Sequence, residues 1–302
     1  MSVMSTTSLH QHPNHSHVLK GGYGAQRRVG IAALITFTFM VAEAIGGIIS
    51  GSLALLADAA HMLTDSGSLA LAYVGFALAR KPADPKRTFG FSRFKVLAAF
   101  TNGLLLLALA GWIIVEAVHR LSDVRPVMSE VMLAIAITGL IVNIAMFVLL
   151  QSGQDKEDLN LRGALLHVMG DLLGSVAAII AAFVIGFTGW MPIDPLLSLL
   201  VASILIFSAI PIIRKSAHIL LQGTPRGVDL EEIAKGLCEA IPRIDAVHHI
   251  HVWTLTGEDK LITLHVVPKD PEDAVSLIPE VRRVLERQFG IDHATIETSA
   301  AG

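Results

Sequence analysis

The segment LALLADAAHMLTDSGSLALAYVGFALA, residues 53–79, contains no Lys or Arg, and Asp58 and Asp65 are its only formally charged residues. A helix needs about 20 apolar residues to cross a hydrocarbon core of about 30 Å. The segment therefore predicts a membrane-spanning helix that carries two acids inside an otherwise apolar sequence.

The chain outside this segment follows the same pattern as far as residue 213, with long apolar stretches in which charged residues are rare. Of the 302 residues, 53% are hydrophobic and 16% are charged, whereas ordinary globular domains carry about 25% charged residues. This composition excludes a disordered chain and an ordinary cytosolic enzyme. The six predicted spans cover roughly residues 29–50, 53–79, 96–119, 128–150, 161–188 and 195–213.

Charge and cysteine content exclude further classes. A net charge of −3 gives no electrostatic reason to expect nucleic acid as a partner. The single cysteine, Cys238, excludes an intrachain disulfide and a cysteine-rich zinc module. The 13 histidines stand out instead, because histidine is the commonest side-chain ligand of metals.

Basic residues in the connecting segments predict the orientation. Thirteen Lys and Arg residues lie on one side of the predicted spans, against Arg120 and Arg125 on the other. Basic loops stay in the cytoplasm. We therefore expect a multi-pass protein of the cell inner membrane, embedded in lipid, with both termini in the cytoplasm.

Three regions follow from these patterns: a histidine-containing leader (1–27), a six-span transport domain (28–213) and a small cytoplasmic domain (214–302). In the leader, His10, His12, His15 and His17 are spaced for loose metal capture, but a solvated arm explains them equally well. The cytoplasmic domain predicts the order α-β-β-α-β, with Asp229 as a helix N-cap. Its predicted elements are 228–241, 247–255, 261–267, 271–289 and 294–298.

The same motif, His-x-x-x-Asp, occurs in two spans: His61 with Asp65, and His167 with Asp171. Residues four apart share a helical face, so two such faces together offer two imidazoles and two carboxylates. That set suits tetrahedral Zn²⁺. The alternative is that each pair is hydrogen-bonded to itself and holds its helix in the bundle, but two matching pairs in a membrane favour the metal.

Other polar residues interrupt the spans. Asp58, three residues before His61, is a candidate to orient that ligand from the second coordination shell, or else a solvated residue near the membrane boundary. The remaining polar residues line a cavity or join helices by hydrogen bonds, and for the two asparagines we expect packing. These residues are Glu43, Asn102, Glu116 and Asn143.

At these residues the chain resembles the cation diffusion facilitator family of zinc and divalent-metal transporters. The resemblance rests on LLADAAHMLTD (55–65), the basic loop with RTFGF (87–91), the second His-x-x-x-Asp, and the tail segments HVW (251–253) and HATI (293–296). It implies an all-α six-helix transmembrane bundle followed by a cytoplasmic α+β domain of metallochaperone (ferredoxin-like) type, and a homodimer. The zinc, cadmium and cobalt efflux branch is the most similar.

The resemblance also implies a second metal site in the cytoplasmic domain. His249 and His265 match histidines of that site, and His293 and Glu297 lie on the closing segment. The alternating pattern of the segment 248–251 predicts that His249 faces away from His248 and His251. Surface histidines on a half-exposed strand are the alternative, and for His248 and His251 that alternative is preferred.

Some relatives bind another metal in the loop between spans two and three, through an Asp and two histidines. Asp84 is kept here, but Arg87 and Phe91 stand where the histidines are expected. Neither side chain ligates a cation. We therefore expect this loop site to be absent.

The function implied is export of a divalent cation, Zn²⁺ first and Cd²⁺ or Co²⁺ next, by alternating access in exchange for protons. The chain is then no enzyme and needs no cofactor beyond the transported zinc and a regulatory zinc in the cytoplasmic domain. The alternatives are an intramembrane metallohydrolase, for which no His-Glu-x-x-His motif is present, and a membrane-anchored metal sensor. The ranking of these cations stays open, because their preferences for N/O sites overlap.

Overall fold

The computed structural model describes residues 23–79, 81, 83–151 and 159–298. Within them, six long helices precede a small domain of two helices and three strands. The helices of the first part are α1 (Tyr23–Ser50), α2 (Leu53–Ala79), α3 (Phe94–Ser122), α4 (Ser129–Gln151), α5 (Leu159–Thr188) and α6 (Ile193–Leu220). The second part consists of α7 (Leu230–Ala240), β1 (Ile244–Trp253), β2 (Leu261–Pro268), α8 (Ala274–Phe289) and β3 (His293–Thr298).

Each predicted span is found as a helix, which confirms the helical bundle. Several helices continue past the apolar sequence: α1 already begins at Tyr23 and α6 ends at Leu220. Apolarity marks the part of a helix that meets lipid, whereas the backbone hydrogen bonds continue wherever the sequence permits them. The helices are therefore longer than the spans.

The bundle exposes apolar side chains and buries polar ones, as a lipid-facing surface requires. Phe187 and Phe207 are 84% and 77% exposed, while Glu43 and Asn102 are buried. Helices α3, α4, α5 and α6 each contain a described segment long and apolar enough to cross a membrane. In α1 and α2 the described apolar segments, Leu34–Ser50 and Leu53–Thr64, are shorter.

Helix α2 lies at the centre of the bundle, because its first turns belong to two apolar clusters. Leu53 and Ala57 pack with buried residues of α3 and α6. Ala54 and Leu55 pack with buried residues of α4 and α5. Many members of both clusters are alanines, which let helix backbones approach closely.

The cytoplasmic domain is a sheet of order β1-β2-β3 with α7 and α8 packed on one face. Strands β1 and β2 are antiparallel, and β2 and β3 are parallel. The predicted order α-β-β-α-β is confirmed, and so is the Asp229 cap, which accepts from the Glu231 backbone N–H at 2.9 Å. The helices and strands of this domain contribute to one apolar core, which includes Leu237, Ile262 and Leu285.

Candidate functional site

The α2 part of the predicted transport site faces α5. The carboxylate oxygens of Asp58 lie 3.6 and 3.8 Å from the point where a Cβ on Gly174 would stand. Gly174 comes three residues after Asp171 in α5, so it shares a helical face with that residue. The surface of α2 that carries Asp58 therefore meets the surface of α5 that carries Asp171. The Asp171 side chain is buried there, with 6% of its surface exposed.

A third acid joins these two from α1. Glu43 is 2% exposed, and its carboxyl group is within hydrogen-bonding reach of Asp58 and close to Asp171. Oε2 of Glu43 is buried, and no group among the described residues hydrogen-bonds to it. Three acids from three helices thus converge at the junction of α1, α2 and α5.

His61 lies one turn after Asp58 in α2 and is half-buried. Its backbone oxygen accepts a hydrogen bond from the Thr64 hydroxyl at 2.6 Å. The helical backbone puts Asp65 and His167 one turn from His61 and Asp171 respectively, but the side chains of Asp65 and His167 lie outside the described part of the structure. The four-residue ligand set therefore stays a prediction.

The acids at the junction of α1, α2 and α5, which are Glu43, Asp58 and Asp171, favour the binding of positive charge. Buried carboxyl groups in a medium of low dielectric need a counter-charge, and a cation or protons can supply it. Among the side chains that the structure describes, no group of three or more His, Cys, Asp or Glu is placed to hold a metal ion together.

A packing prediction is confirmed beside this junction. The amide of Asn143 in α4 donates to the Ser175 hydroxyl in α5 at 3.2 Å, and both residues are buried. This asparagine joins two helices, as expected for an amide inside a membrane bundle.

A cluster of histidines from β1 and β2 lies on the face of the cytoplasmic sheet opposite the helices. A β-bulge in β1 brings these histidines together. His248 pairs with His265, and His251 pairs with Thr263, so one more residue lies between the pairs on β1 than on β2. His249 takes up the extra residue with a left-handed φ of 52°. Because of the bulge, His248 and His251 both face the side of the sheet that carries His265.

The predicted alternation within 248–251 is therefore wrong. The His249 ring lies 4.7 Å from the His251 ring and 4.7 Å from the His265 ring, centroid to centroid. The His248 ring is 5.4 Å from that of His265. His248 and His251 are exposed, as the sequence predicts for surface histidines, and they lie in one cluster of rings with His249 and His265.

The two candidates on β3 fall in different places. Nε2 of His265 lies 3.3 Å from Oε2 of Glu297, so Glu297 adds a carboxylate to the histidine cluster. His293 pairs instead with Leu261, at the other end of the strand. Its ring contacts Phe89, in the loop between α2 and α3, with centroids 6.2 Å apart.

In the loop between α2 and α3, Arg87 makes contacts with both Asp84 and Phe91. Asp84 accepts from the Arg87 backbone N–H at 2.7 Å and pairs with its guanidinium at 3.3 Å. The same guanidinium stacks over Phe91, 4.6 Å from the ring centroid. The two residues that replace the expected histidines therefore contact each other.

Two sequence models of known domains together match most of the chain. The cation efflux transmembrane domain matches residues 29–221, and the cytoplasmic domain of cation efflux proteins matches residues 225–299. The chain belongs to the cation efflux family. The resemblance to cation diffusion facilitators drawn from the sequence is thereby confirmed.

Relatives within the cation efflux family match almost end to end. Zinc transporter ZitB of Escherichia coli (strain K12) is 43% identical over 95% of this chain and 91% of its own length. The metal cation efflux system protein CzcD of Cupriavidus metallidurans is 41% identical over 95% of this chain and 90% of its own. The cadmium, cobalt and zinc/H⁺-K⁺ antiporter of Bacillus subtilis is 41% identical over 91% and 89%.

A solved structure, the metal-bound C-terminal domain of the CzcD transporter, is 32% identical over 24% of this chain and 99% of its own, with a TM-score of 0.22.

For a member of the cation efflux family, the partners of Glu43 are what the sequence leaves out. Glu43 is expected to line a cavity or to join helices, and it does join α1 to α2 through Asp58, close to Asp171. The signal was present, since Glu43 is the only formally charged residue between residues 29 and 57. Its partners come from other helices, so no local spacing indicates them.

Proposed function

We propose that this chain, a divalent-cation efflux transporter by family, exports Zn²⁺ from the cytoplasm in exchange for protons. The proposed ligands are His61, Asp65, His167 and Asp171. Two imidazoles and two carboxylates match the number and type of ligands that tetrahedral Zn²⁺ takes. The carboxylates also neutralise the charge of the ion within the membrane.

The observation that carries the proposal is the contact between α2 and α5 at the acids. Asp58 lies against Gly174, one turn from Asp171, and Asp58 precedes His61 by one turn. The two motif helices therefore face each other where the ligands are expected. Glu43 adds a third carboxyl group to the same junction, and carboxyl groups that give up protons to bind metal favour a divalent cation over an uncharged substrate.

Exchange with protons follows from the chemistry of the ligands. Imidazole and carboxylate bind metal only when deprotonated, so zinc binding releases protons and protonation releases zinc. Acids and histidines that hold the cation in one half of the cycle hold protons in the other. No chemical bond of a substrate is made or broken, so the proposed function is transport without catalysis.

The proposed setting is the inner membrane, with both termini in the cytoplasm, as the basic loops favour. In that orientation the histidine cluster faces the cytoplasm. We assign His249, His265 and Glu297 to a regulatory zinc site there and leave out His293, which the sheet register separates from them. As they stand, no three of the described side chains hold a metal together. A second copy of the chain in a homodimer would supply a further ligand.

The test is zinc flux into proteoliposomes that contain the purified full-length chain, with internal pH recorded at the same time. We expect zinc uptake coupled to proton movement in the wild type and no flux above empty liposomes in Asp65→Ala or Asp171→Ala. The matched control is Glu130→Ala, which removes an exposed carboxylate at the start of α4 and should leave the flux unchanged. Flux at the wild-type rate in either motif variant would refute the proposed site.

A further inference from the structure

Asp194, at the start of α6, is completely buried and caps a different helix. Its carboxylate accepts from the Ser52 hydroxyl at 2.6 Å, from the Leu53 N–H at 2.8 Å and from the Ala54 N–H at 3.2 Å. The first N–H groups of a helix have no partner within it. Asp194 supplies that partner for α2 from about 140 positions further along the chain.

Arg120, near the end of α3, completes the arrangement. Its guanidinium Nη1 is 3.9 Å from the Asp194 carboxylate and also donates to the backbone oxygen of Gly51. Its Nε donates to Glu116 at 2.9 Å. A buried carboxylate is costly without a counter-charge, and here the helix N-terminus and the arginine both provide one. The start of α2, the end of α3 and the start of α6 are thereby joined.

The start of α2, which these contacts join to α3 and α6, lies on the same helix as the proposed ligands His61 and Asp65. His61 follows Leu53 by eight residues, a distance of about 12 Å along a helix. Metal–ligand distances in zinc sites lie within about 0.2 Å of their standard values. A tilt or axial shift of α2 larger than this at its capped end would therefore move His61 away from the ligands of α5.

We propose that Asp194 is a positioning residue for transport. It holds the start of α2 against α3 and α6, and so sets where His61 stands relative to the ligands of α5, without touching the cargo. This inference rests on the transport site proposed above. Apolar packing of α2 is the competing explanation, because Leu53 and Ala54 also belong to buried clusters.

The experiment compares zinc flux kinetics in proteoliposomes with equilibrium zinc binding to the purified full-length protein. Asp194→Asn keeps the shape of the side chain and removes its charge. We expect KM for flux and Kd for binding to rise at least about tenfold, the range seen when groups that orient metal ligands are removed. Size-exclusion chromatography gives the amount of folded transporter. Vmax divided by this amount should change far less than KM and Kd.

Two further variants keep the test decisive if Asp194→Asn does not fold. Ser52→Ala removes one of the three donors, together with the hydrogen bond that the Ser52 hydroxyl accepts from the Leu55 N–H, and should raise KM and Kd by a smaller factor. The matched control is Ser198→Ala, which removes a buried hydroxyl that donates only to the Asp194 backbone oxygen within α6; its KM and Kd should equal those of the wild type.

The outcomes separate the positioning role from simple stabilisation and from the proposed site. A smaller yield of folded transporter with unchanged KM and Kd would mean that Asp194 only stabilises the fold, and it would overturn the inference. Wild-type KM in Ser52→Ala would overturn it as well. Asp171→Ala, measured in parallel, reports on the transport site itself. If that variant transports like the wild type the site is wrong, whatever the Asp194 variants do.

Discussion

Nε2 of His265 and Oε2 of Glu297 lie 3.3 Å apart on neighbouring strands of the cytoplasmic sheet, with the His249 ring 4.7 Å from that of His265. The pair offers one nitrogen and one oxygen ligand on adjacent strands, and the bulge brings a second imidazole to it. Strands hold such residues in a fixed register, so a metal site here depends on the sheet rather than on a loop.

Removal of His265 should therefore cost the protein one bound zinc. We expect the purified wild type to bind two zinc ions per chain, one at each proposed site, and His265→Ala to bind one. Metal analysis after equilibration with zinc and desalting measures this number. His119→Ala, at an exposed position in the last turn of α3, serves as the histidine control. An unchanged stoichiometry in His265→Ala would remove the cytoplasmic site from the proposal.

The left-handed backbone of His249 leads to a second prediction. A residue with a Cβ pays about 1 kcal/mol or more in that conformation, and glycine does not. His249→Gly and His249→Ala remove the same imidazole but differ in this strain. We expect the glycine variant to be more stable than the alanine variant by about 1 kcal/mol, which thermal unfolding of the purified protein measures as a higher Tm. Equal Tm values, or the reverse order, would argue against the bulge.

The bulge also shows where sequence reasoning reached its limit. The alternation rule assumes one residue per position on each strand, and a single extra residue reverses every later side chain. The signal was present in the apolar residues: Val247, Ile250 and Val252 all pack on the core, and the interval of three between the first two breaks the period of two. Read from these residues, β1 predicts the bulge and the histidine cluster.

The spans were predictable for a different physical reason. Water is absent from the membrane core, so composition alone separates the spans from the loops. Contacts between helices leave no such signature. Asp194 is visible in the sequence only as an isolated acid, because its partners on α2 precede it by about 140 residues. Asp58 and Gly174 are also far apart in the sequence, so no local pattern indicates their contact.

Close packing of α3 on α6 gives a third prediction. A Cβ on Gly103 would stand 2.7 Å from Cγ1 of Ile213, whereas no atom of the described residues lies within 4 Å of a Cβ on Gly111 in the same helix. Overpacking of a tight contact costs about 1–3 kcal/mol, and the space beside Gly111 makes the same change harmless there. Gly103→Ala should lower Tm, Gly111→Ala should not, and Gly103→Ala/Ile213→Val should recover part of the loss. A Gly103→Ala variant as stable as Gly111→Ala would contradict the packing of α3 on α6.

Glu43 provides the last prediction, because its carboxyl group lies beside the proposed ligands without belonging to the motif. Glu43→Gln keeps the size of the side chain and its capacity to hydrogen-bond to Asp58, and removes a carboxyl group that can give up its proton when zinc binds close to Asp171. Two charges about 4 Å apart interact by about 4 kcal/mol at an effective dielectric constant of 20, so the loss of that carboxylate, even if its charge is partly screened, should raise the KM for zinc about tenfold or more. Flux in proteoliposomes over a range of zinc concentrations measures this change, with Glu130→Gln as the exposed control at the start of α4. An unchanged KM in Glu43→Gln would show that this carboxyl group contributes to helix packing alone, and that the acids of α2 and α5 hold the cation without help from α1.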